Sequence, residues 1–230
     1  FLPAEKIIEY RMARPEEQAL TGLTVRAFAD EVAADSPAPG GGSVAALAAA
    51  LAGALGSMVA SISAQKAGWE DRWRTFSDRA EQGQHLKEAL LELADEDTRA
   101  FKGVMAALAM PRKTVGEKTV RTAAIEEATR YAMEVPLQVM EQALAVMDLL
   151  EILAAEGNPV SMTDAAVGVL CARSAVLGAF LNIQINATAL RDKGYADSLL
   201  AKGADMASAC EQLEARIRRS VAERIGRQKV

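Results

Sequence analysis

Apolar stretches with a helical repeat, separated by short polar turns, run through most of this 230-residue chain. Residues 43–64 form the clearest one, because apolar side chains recur there at the three- and four-residue steps of an α-helix. These side chains are Leu47, Leu51, Ala54, Met58 and Ile62. The other positions are mostly Ala, Gly and Ser, and no charged residue occurs between Asp35 and Lys66. A helix that is apolar on every side is expected at the centre of a bundle.

A turn rich in proline and glycine precedes this central helix. Pro37, Pro39 and the glycines at 40–42 cannot continue a helix, and Ser43 stands where an N-cap residue is expected. The turn leaves backbone N–H groups free at a helix N-terminus, where they can bind an anion or a carbonyl oxygen. A tight turn with a cap explains the same residues without any ligand.

Periodicity, Gly and Pro define the remaining helices. They are predicted over residues 25–34, 66–108, 117–134, 136–156, 161–192 and 196–225, with Pro136 either kinking one long helix or starting a new one. The sequence shows no alternating strand pattern and no fixed-period repeat. We therefore expect an all-α fold, an antiparallel multi-helix bundle with a long Ala-rich central helix, over residues 23–230.

Residues 1–22 are interpreted as a linker arm from an upstream domain. Within the arm, residues 5–13 are compatible with either a strand or a helix. The chain begins with Phe1 and not with Met, which favours a fragment of a longer protein.

Composition and charge narrow the functional classes. The net charge of −5 and an isoelectric point near 5.2 argue against nucleic acid as a partner, because phosphate binding needs a basic face. Cys171 and Cys210 lack metal-ligand spacing and no signal peptide is visible, so a cytoplasmic protein is expected. Residues 36–64 are long enough to cross a bilayer, but no aromatic belt or one-sided Lys/Arg cluster flanks them, and no membrane partner is expected.

One carboxylate interrupts the apolar side of the helix that follows the central one. From His85 onward its core-facing positions are predicted at helical spacing, and Asp97 is the only charged member. The set is Leu86, Leu90, Leu93, Asp97, Phe101 or Ala100, Val104 and Leu108. Burying a carboxylate costs free energy unless it is paired or used, and burial raises its pKa. Asp97 is therefore the leading acid–base candidate, with an ion pair to Arg99, to Lys102 or to another helix as the structural alternative.

The charge-poor helix over residues 161–192 carries the other polar candidates. Asp164 has capping-box spacing from Ser161, which gives it a structural explanation in the first helical turn. Asn182 and Asn186 lie one turn apart on a face of small residues, which favours a binding site. Asp164 and Asn182 share that face, but the helix between them is about 27 Å long, so they cannot hold one small group within one straight helix.

The remaining candidates are weaker. His85 is the only histidine, and its polar neighbours favour a surface role, so acid–base chemistry falls to other side chains. Trp69 and Trp73 are interpreted as packing or interface residues instead of a ring-stacking platform. The sequence contains no P-loop, dinucleotide fingerprint, HExxH motif or Ser-His-Asp set, and no metal site is predicted.

Four segments in this order on Ala-rich helices resemble the formimidoyltetrahydrofolate cyclodeaminase/methenyltetrahydrofolate cyclohydrolase family. They are SPAPGGGSVAAL, DEDTRAF, SMTDAAVG and LNIQIN. The resemblance covers roughly residues 23–225, and the combination is specific where GGGS alone would not be. FLPAEKIIEYRMA and KAGWEDRWRTFSDRAEQG are most similar to the C-terminal half of bifunctional formimidoyltransferase-cyclodeaminases, in which such an arm joins two domains.

The resemblance implies an all-α homodimer with a folate site partly formed at the subunit interface. The implied reaction closes 5-formimidoyltetrahydrofolate to 5,10-methenyltetrahydrofolate with loss of ammonia, in histidine degradation and one-carbon metabolism. A tetrahydrofolate derivative is the substrate, and no tightly bound cofactor or metal is implied. The expected acid–base residues are Asp97 and Asp164. The expected substrate-binding residues are Gly41, Gly42, Ser43, Asn182 and Asn186.

Two alternatives remain at this point. A methenyltetrahydrofolate cyclohydrolase would add water to the methenyl carbon to give 10-formyltetrahydrofolate, although the N-terminal arm favours the deaminase. A non-catalytic helical scaffold would explain the Ala-rich helices but not Asp97 on a core-facing line. We also predict that the dimer interface uses the small-residue face of one of the two charge-poor helices, because Gly and Ala let backbones approach closely.

Overall fold

The computed structural model describes residues 19–227, and within them the chain is helical with no β-strand. The six α-helices are α1 Val25–Val32, α2 Gly41–Ala64, α3 Trp73–Ala109, α4 Val115–Glu156, α5 Met162–Ala189 and α6 Lys193–Arg227. Two 3₁₀ turns, Leu20–Gly22 and Pro159–Ser161, precede α1 and α5. The predicted all-α class is confirmed. Most of the predicted linker arm, including the segment at residues 5–13, lies outside the described residues.

Consecutive long helices run antiparallel, as predicted. Gly42 at the start of α2 approaches Asp97 in the second half of α3, whereas Gly53 further along α2 approaches Lys87. α4 contacts each of the other four long helices. It also supplies many of the largest fully buried side chains, namely Met133, Met140, Met147, Leu149, Leu150 and Leu153. The core therefore lies between α2, α4 and α5, with α3 and α6 on its flanks.

The small residues of α2 face inward and its large residues face outward, so the predicted core stripe of this helix is wrong. Leu51 is 55% exposed, Met58 39% and Ile62 40%. The buried positions are Gly42, Ser43, Ala45, Ala46, Ala49, Ala50, Ala52, Gly53, Gly56, Ser57, Val59, Ala60 and Ser63. Close backbone approach is the cause, because a Cβ added at Gly53 would lie 3.2 Å from the backbone nitrogen of Lys87 in α3.

The core-facing line of α3 is also shifted from the predicted one. Its buried residues are Phe76, Gly83, Leu90, Ala94, Thr98, Ala100 and Ala107. Leu108, which was predicted to face the core, is 44% exposed, and of the alternatives Phe101 and Ala100 it is Ala100 that is buried, whereas Phe101 is 36% exposed. Small residues again decide the packing, because a Cβ added at Gly83 would lie 2.7 Å from the backbone nitrogen of Ser57 in α2. Asp97 consequently lies at the edge of the core and is partly buried.

Three predicted helix boundaries differ in the structure. α3 begins at Trp73 and not at residue 66, because the chain turns before it and Gly68 has a φ of 81°, which a helix does not contain. α4 continues through Pro136, so the proline does not start a new helix, and the buried side chains that flank it hold the segment in place. α6 begins at Lys193, where a break was predicted. The predicted register of α6 is confirmed, since its core-facing residues are buried or partly buried. They are Leu199, Gly203, Met206, Cys210, Leu213, Ile217 and Val221.

Two helical segments, Gly41–Ala64 and Pro159–Ala189, are long and apolar enough to cross a membrane by length and composition alone. Both are packed into the bundle, and the most apolar window of the first is 56% buried within the chain. Core helices of bundles meet the same criterion, so this property is weak evidence for a membrane.

Candidate active site

The N-terminus of α2 receives the carboxylate of Asp97 from α3. Gly40 is the N-cap residue of α2, and Ser43 lies inside the first helical turn with no exposed surface. The Ser43 hydroxyl donates to Asp97 Oδ2 at 2.8 Å, and the Ser43 backbone N–H donates to the same carboxylate. The prediction that Ser43 caps α2 is therefore wrong. A side chain from another helix binds the free N–H group in its place.

Gly42 makes this approach sterically possible. A Cβ added at Gly42 would lie 2.1 Å from Asp97 Oδ1 and 2.5 Å from Asp97 Cγ. No real side chain tolerates such contacts, so any residue other than glycine would displace the carboxylate. Gly42 therefore serves the placement of Asp97 in addition to its place in the turn.

The environment of Asp97 raises the pKa of its carboxyl group. Burial disfavours the charged form and is the largest cause, and the hydrogen bonds from the Ser43 hydroxyl and backbone N–H offset it only in part. Arg99, one of the predicted ion-pair partners, binds Glu96 instead, with its Nε donating to Glu96 Oε2 at 2.7 Å. A carboxyl group of this kind can exchange a proton closer to neutral pH than an exposed aspartate can.

The two asparagines of α5 that were predicted to bind substrate differ in their contacts. The Asn182 Nδ2 atom lies 4.0 Å from the position of an added Cβ at Gly41, and it donates to the Gly178 carbonyl oxygen at 2.9 Å. Asn186 Nδ2 donates to the Ala132 carbonyl oxygen of α4 at 2.8 Å. Asn182 thus borders the site, whereas the amide of Asn186 links α5 to α4.

Asp164 lies at the opposite end of α5. Because the helix is continuous from Met162 to Ala189, the distance from Asp164 to Asn182 is about 27 Å along its axis. The predicted capping box is absent, since the Ser161 side chain accepts no capping hydrogen bond. Among the described residues, no hydrogen bond or ion pair engages the Asp164 carboxylate. Within one chain, therefore, Asp164 does not belong to the site around Asp97.

Thr98 is the residue that the sequence interpretation missed. Its side chain is buried and its Oγ1 lies 3.1 Å from Ser43 Oγ. Its position directly after Asp97 in the segment DEDTRAF was the available signal. It was overlooked because threonine is uncharged and fits a helix face without an anomaly.

Two cavities lie along α3, and Asp97 itself lines neither of them. One of about 500 Å³ lies between α3 and α4 and is lined in part by Glu96, Arg99 and Tyr131. The other, of about 540 Å³, lies between α3 and the residues before α1, and Thr98 and Lys102 are on its wall. Both fall in the size range of small-molecule sites.

The other predicted features have simple roles. His85 is exposed, and its only ion-pair partner among the described residues is Glu81 at 3.6 Å, so its surface position is confirmed. Trp69 stacks on Phe76 with ring centroids 5.6 Å apart, whereas Trp73 is 50% exposed. Residues 19–227 contain no group of three or more His, Cys, Asp or Glu side chains that could hold a metal ion.

The described part of the chain is thus an all-α bundle in which a partly buried carboxylate lies at a helix N-terminus beside an amide. Comparison with known proteins gives the family. The model of the formiminotransferase-cyclodeaminase family matches residues 24–205, and the chain belongs to this family. The resemblance inferred from the sequence is thereby confirmed.

The similar proteins carry two different names. The chain is 33% identical over 88% of its length, and 97% of the relative's, to a methenyltetrahydrofolate cyclohydrolase from Methylorubrum extorquens. It is 36% identical to the formimidoyltransferase-cyclodeaminase of Rattus norvegicus over 84% of its own length, but it spans only 36% of that relative. A solved structure of formiminotetrahydrofolate cyclodeaminase from Thermotoga maritima, 26% identical, covers 88% of this chain and 98% of its own with a TM-score of 0.78.

Proposed function

We propose that this protein is a folate-dependent cyclodeaminase, which converts 5-formimidoyltetrahydrofolate to 5,10-methenyltetrahydrofolate and releases ammonia. The observation that carries the proposal is the Asp97 carboxyl group, held by Ser43 at the N-terminus of α2 with its pKa raised by burial. The family membership and the similarity to the Thermotoga maritima cyclodeaminase support the same assignment.

The reaction requires proton transfers that one well-placed carboxyl group can perform. N10 of the folate attacks the formimidoyl carbon, N10 loses its proton, and the imine nitrogen gains one, which gives a tetrahedral carbon bonded to three nitrogens. The terminal amine then takes up a further proton, its carbon–nitrogen bond breaks, and ammonia leaves. The electron pair of N5 or N10 completes the methenyl cation, so one proton is consumed overall. Asp97 accepts the N10 proton and delivers a proton to the leaving amine.

The residues around Asp97 position the folate in this proposal. The Asn182 side chain borders Gly41, and its amide is placed to hydrogen-bond the pterin or the amidine. The cavities on either side of α3 provide room for the rest of the folate. Gly41 and Gly42 keep the backbone open beside the carboxylate. Ser43 acts on Asp97 instead of on the substrate, because its hydroxyl hydrogen is already donated to Oδ2.

The second candidate is methenyltetrahydrofolate cyclohydrolase. It is favoured by the Methylorubrum extorquens relative, which this chain matches over 97% of that protein's length. In this reaction Asp97 would accept a proton from the water that attacks the methenyl carbon. The same carboxyl group therefore serves both reactions, which differ in nucleophile and in leaving group. N10 attacks and ammonia leaves in the deaminase, whereas water attacks and N5 takes up a proton and leaves the carbon in the cyclohydrolase.

An assay with both substrates separates the two candidates. The purified protein is supplied with 5-formimidoyltetrahydrofolate or 5,10-methenyltetrahydrofolate, and ammonia release and the methenyl product are followed separately. We expect ammonia and the methenyl compound to form in equal amounts. Hydrolysis of the methenyl compound without ammonia release would replace the deaminase assignment with the cyclohydrolase. Saturable folate binding excludes a scaffold, and its absence would contradict both enzymatic assignments.

We also propose a homodimer, although not through the predicted interface. The small-residue face of α5 is already used within the chain, since a Cβ added at Gly168 or Gly178 would contact Leu150 or Ala45 at 2.9 and 3.4 Å. The opposite faces of α2 and α5 leave large apolar side chains exposed. They are Val44, Leu51, Met58, Ile62, Val167, Leu170, Leu181 and Ile185. An apolar surface of this extent along two adjacent helices fits a subunit interface.

An antiparallel pairing of α5 with α5 of a second copy fits this surface. Centred on the exposed Ser174, it sets Val167 opposite Leu181 of the partner subunit. The same pairing brings Asp164 to within a helical turn of Asn182 of the partner subunit, so each site would draw on both chains. Light scattering tests the dimer, and Leu181→Glu should convert it to a monomer. A wild-type protein that is monomeric at micromolar concentration would refute this arrangement.

The chain spans about a third of the bifunctional relatives, so a fused or separate formimidoyltransferase partner is part of the proposal. Cytoplasmic location is proposed on the two cysteines, Cys171 and Cys210, which are both free thiols in the structure.

A further inference from the structure

Three side chains between α2 and α3 form one buried line of hydrogen bonds. Thr98 Oγ1 lies 3.1 Å from Ser43 Oγ, and Ser43 Oγ donates to Asp97 Oδ2 at 2.8 Å. We propose that Thr98 is a positioning residue for the reaction, which acts on the Asp97 carboxylate through the Ser43 hydroxyl. This inference rests on the proposed role of Asp97 as the acid–base group.

The number of hydroxyl hydrogens determines which group donates and which accepts in each of these hydrogen bonds. A serine hydroxyl has one hydrogen, and the Ser43 hydrogen is donated to the Asp97 carboxylate. The contact between Thr98 and Ser43 can then form only if Thr98 donates to Ser43 Oγ. Thr98 thereby keeps the Ser43 hydrogen directed at Asp97 and holds the carboxylate in place against Gly42.

Packing alone does not require a hydroxyl at position 98. The other buried residues of α3 are Phe76, Gly83, Leu90, Ala94, Ala100 and Ala107, so Thr98 is the only one with a polar side chain. Valine has nearly the same shape and would fill the same space. A buried hydroxyl costs free energy unless it is hydrogen-bonded, and the partner available to Thr98 is the hydroxyl that binds Asp97.

The groups that α2 and α5 present to Asp97 are uncharged, so its ionisation depends on the hydrogen bonds that it accepts from Ser43. α2 presents the Ser43 hydroxyl and N–H and the backbone of Gly42, and α5 presents the uncharged Asn182 beside Gly41. Among the described residues, no charged side chain contributes to the pKa shift of Asp97. The hydrogen bonds from Ser43 favour the ionised carboxylate, so weakening them raises the pKa of Asp97 further.

The experiment compares Thr98→Val with Thr98→Ser and measures the pH dependence of kcat and kcat/KM. Loss of one hydrogen bond in the line predicts a fall in kcat of about 2- to 10-fold at neutral pH for Thr98→Val, with KM unchanged. The pH midpoint that reports Asp97 should move to higher pH. Thr98→Ser keeps a hydroxyl donor at this position, so its kcat and its pH midpoint should match those of the wild type.

Ser43→Ala is the second variant, because Thr98→Val could fail to fold. It removes the donor to Asp97 itself, so its loss of kcat and its shift of the midpoint should exceed those of Thr98→Val. Ser57→Ala is the matched control: Ser57 is a buried serine of the same helix, and its hydroxyl donates to the Ala80 carbonyl oxygen far from the site. Ser57→Ala should leave the pH midpoint unchanged.

The outcomes separate this inference from the proposed function. If Asp97→Asn loses turnover while Thr98→Val and Ser43→Ala keep the wild-type pH midpoint, the line of hydrogen bonds is only structural and the inference is wrong. If Asp97→Asn itself turns over normally, the role of Asp97 fails, and the inference fails with it. A midpoint that moves in Thr98→Val and returns in Thr98→Ser supports the inference, because a purely structural role would change the melting temperature alone.

Discussion

α2 and α5 are both charge-poor and Ala-rich, but the carboxylates that lie at their N-termini come from different places. At α2 the carboxylate comes from another helix, since Asp97 of α3 accepts hydrogen bonds from Ser43. At α5 the acidic residue of the first turn is its own Asp164. The 3₁₀ turn before α5 is stabilised locally as well, because Asn158 Oδ1 accepts from the Val160 N–H at 3.2 Å.

The difference supports the proposal that the α2 end of the bundle holds the active site. A local aspartate or serine is sufficient to stabilise a helix N-terminus. The arrangement at α2 costs more, because Asp97 loses part of its hydration and position 42 must be glycine to admit it. An arrangement that costs more free energy than a local cap is expected at a functional site. The predictions below test this contrast between the two ends.

Asp97→Asn should have the largest effect. The amide preserves the size of the side chain but cannot exchange a proton at neutral pH, so kcat should fall by about 10²–10⁴-fold while folate binding changes little. Steady-state kinetics and a folate titration on the same protein measure both. Normal turnover in a variant that folds normally would exclude Asp97 from the reaction.

The same variant carries a prediction about stability. The raised pKa of Asp97 means that the folded state holds this proton more tightly than the unfolded state, whose value is about 3.9. The free energy of unfolding of the wild type should therefore lose this contribution as pH rises from about 4 through the folded pKa. Asp97→Asn has no titrating group at this position. Its melting temperature should therefore rise relative to that of the wild type as the pH increases across that range. A constant difference between pH 4 and 8 would contradict the raised pKa.

Asp164→Asn tests whether the two ends meet between subunits. If each site combines Asp97 of one chain with Asp164 of the partner subunit, Asp164→Asn should lose about 100-fold in kcat. Dissociating and reassembling a mixture of Asp97→Asn and Asp164→Asn should then restore about a quarter of wild-type activity, because half of the dimers are mixed and carry one intact site each. A mixture no more active than its components, or a fully active Asp164→Asn, would confine the site to a single chain.

Gly42→Ala should have a smaller but still clear effect. Alanine normally stabilises a helix relative to glycine by about 0.5–1 kcal/mol, but here its Cβ would lie 2.1 Å from Asp97 Oδ1. We expect the unfolding free energy to fall by about 1–3 kcal/mol, the usual cost of overpacking, and kcat to fall because the carboxylate is displaced. Gly40→Ala is the control, since a Cβ there has no heavy atom within 4 Å. Equal behaviour of the two variants in denaturation and turnover would refute the steric argument.

These contrasts also explain what the sequence could predict. The register of α6 was predictable because one side of that helix is apolar and the other is charged, so the buried face stands out. The faces of α2 and α3 were not, because backbones that approach through Gly53 and Gly83 bury small residues and leave leucines outside. Hydrophobic periodicity predicts that a leucine is buried in preference to an alanine. In this bundle the close approach of the backbones buries the alanines instead.

The candidate site likewise contains residues that the sequence could predict and residues that it could not. Asp97 was found because a carboxylate among apolar residues is anomalous, even though the line on which it was predicted is not the buried one. Ser43 was misassigned because its role depends on a carboxylate 54 positions away in the sequence, which no local capping rule can include. Thr98 was missed for a related reason. Its proposed role depends on what its hydroxyl contacts, and residue type alone does not show that.

The smallest predicted effects distinguish Asn182 from Asn186, which sequence spacing treats as equivalent. Asn186 Nδ2 donates to the Ala132 carbonyl oxygen of α4, so Asn186→Ala should lower the unfolding free energy by about 1 kcal/mol and leave KM for folate nearly unchanged. Within residues 19–227, Asn182 Nδ2 donates only to the Gly178 carbonyl oxygen of its own helix, and the side chain lies beside Gly41. Asn182→Ala should therefore spare stability and lower kcat/KM by about tenfold, the worth of one good hydrogen bond to the folate. Chemical denaturation and steady-state kinetics on both variants measure the four quantities. If Asn186→Ala instead loses kcat/KM at unchanged stability, its amide binds substrate and the site extends further along α5 toward α4.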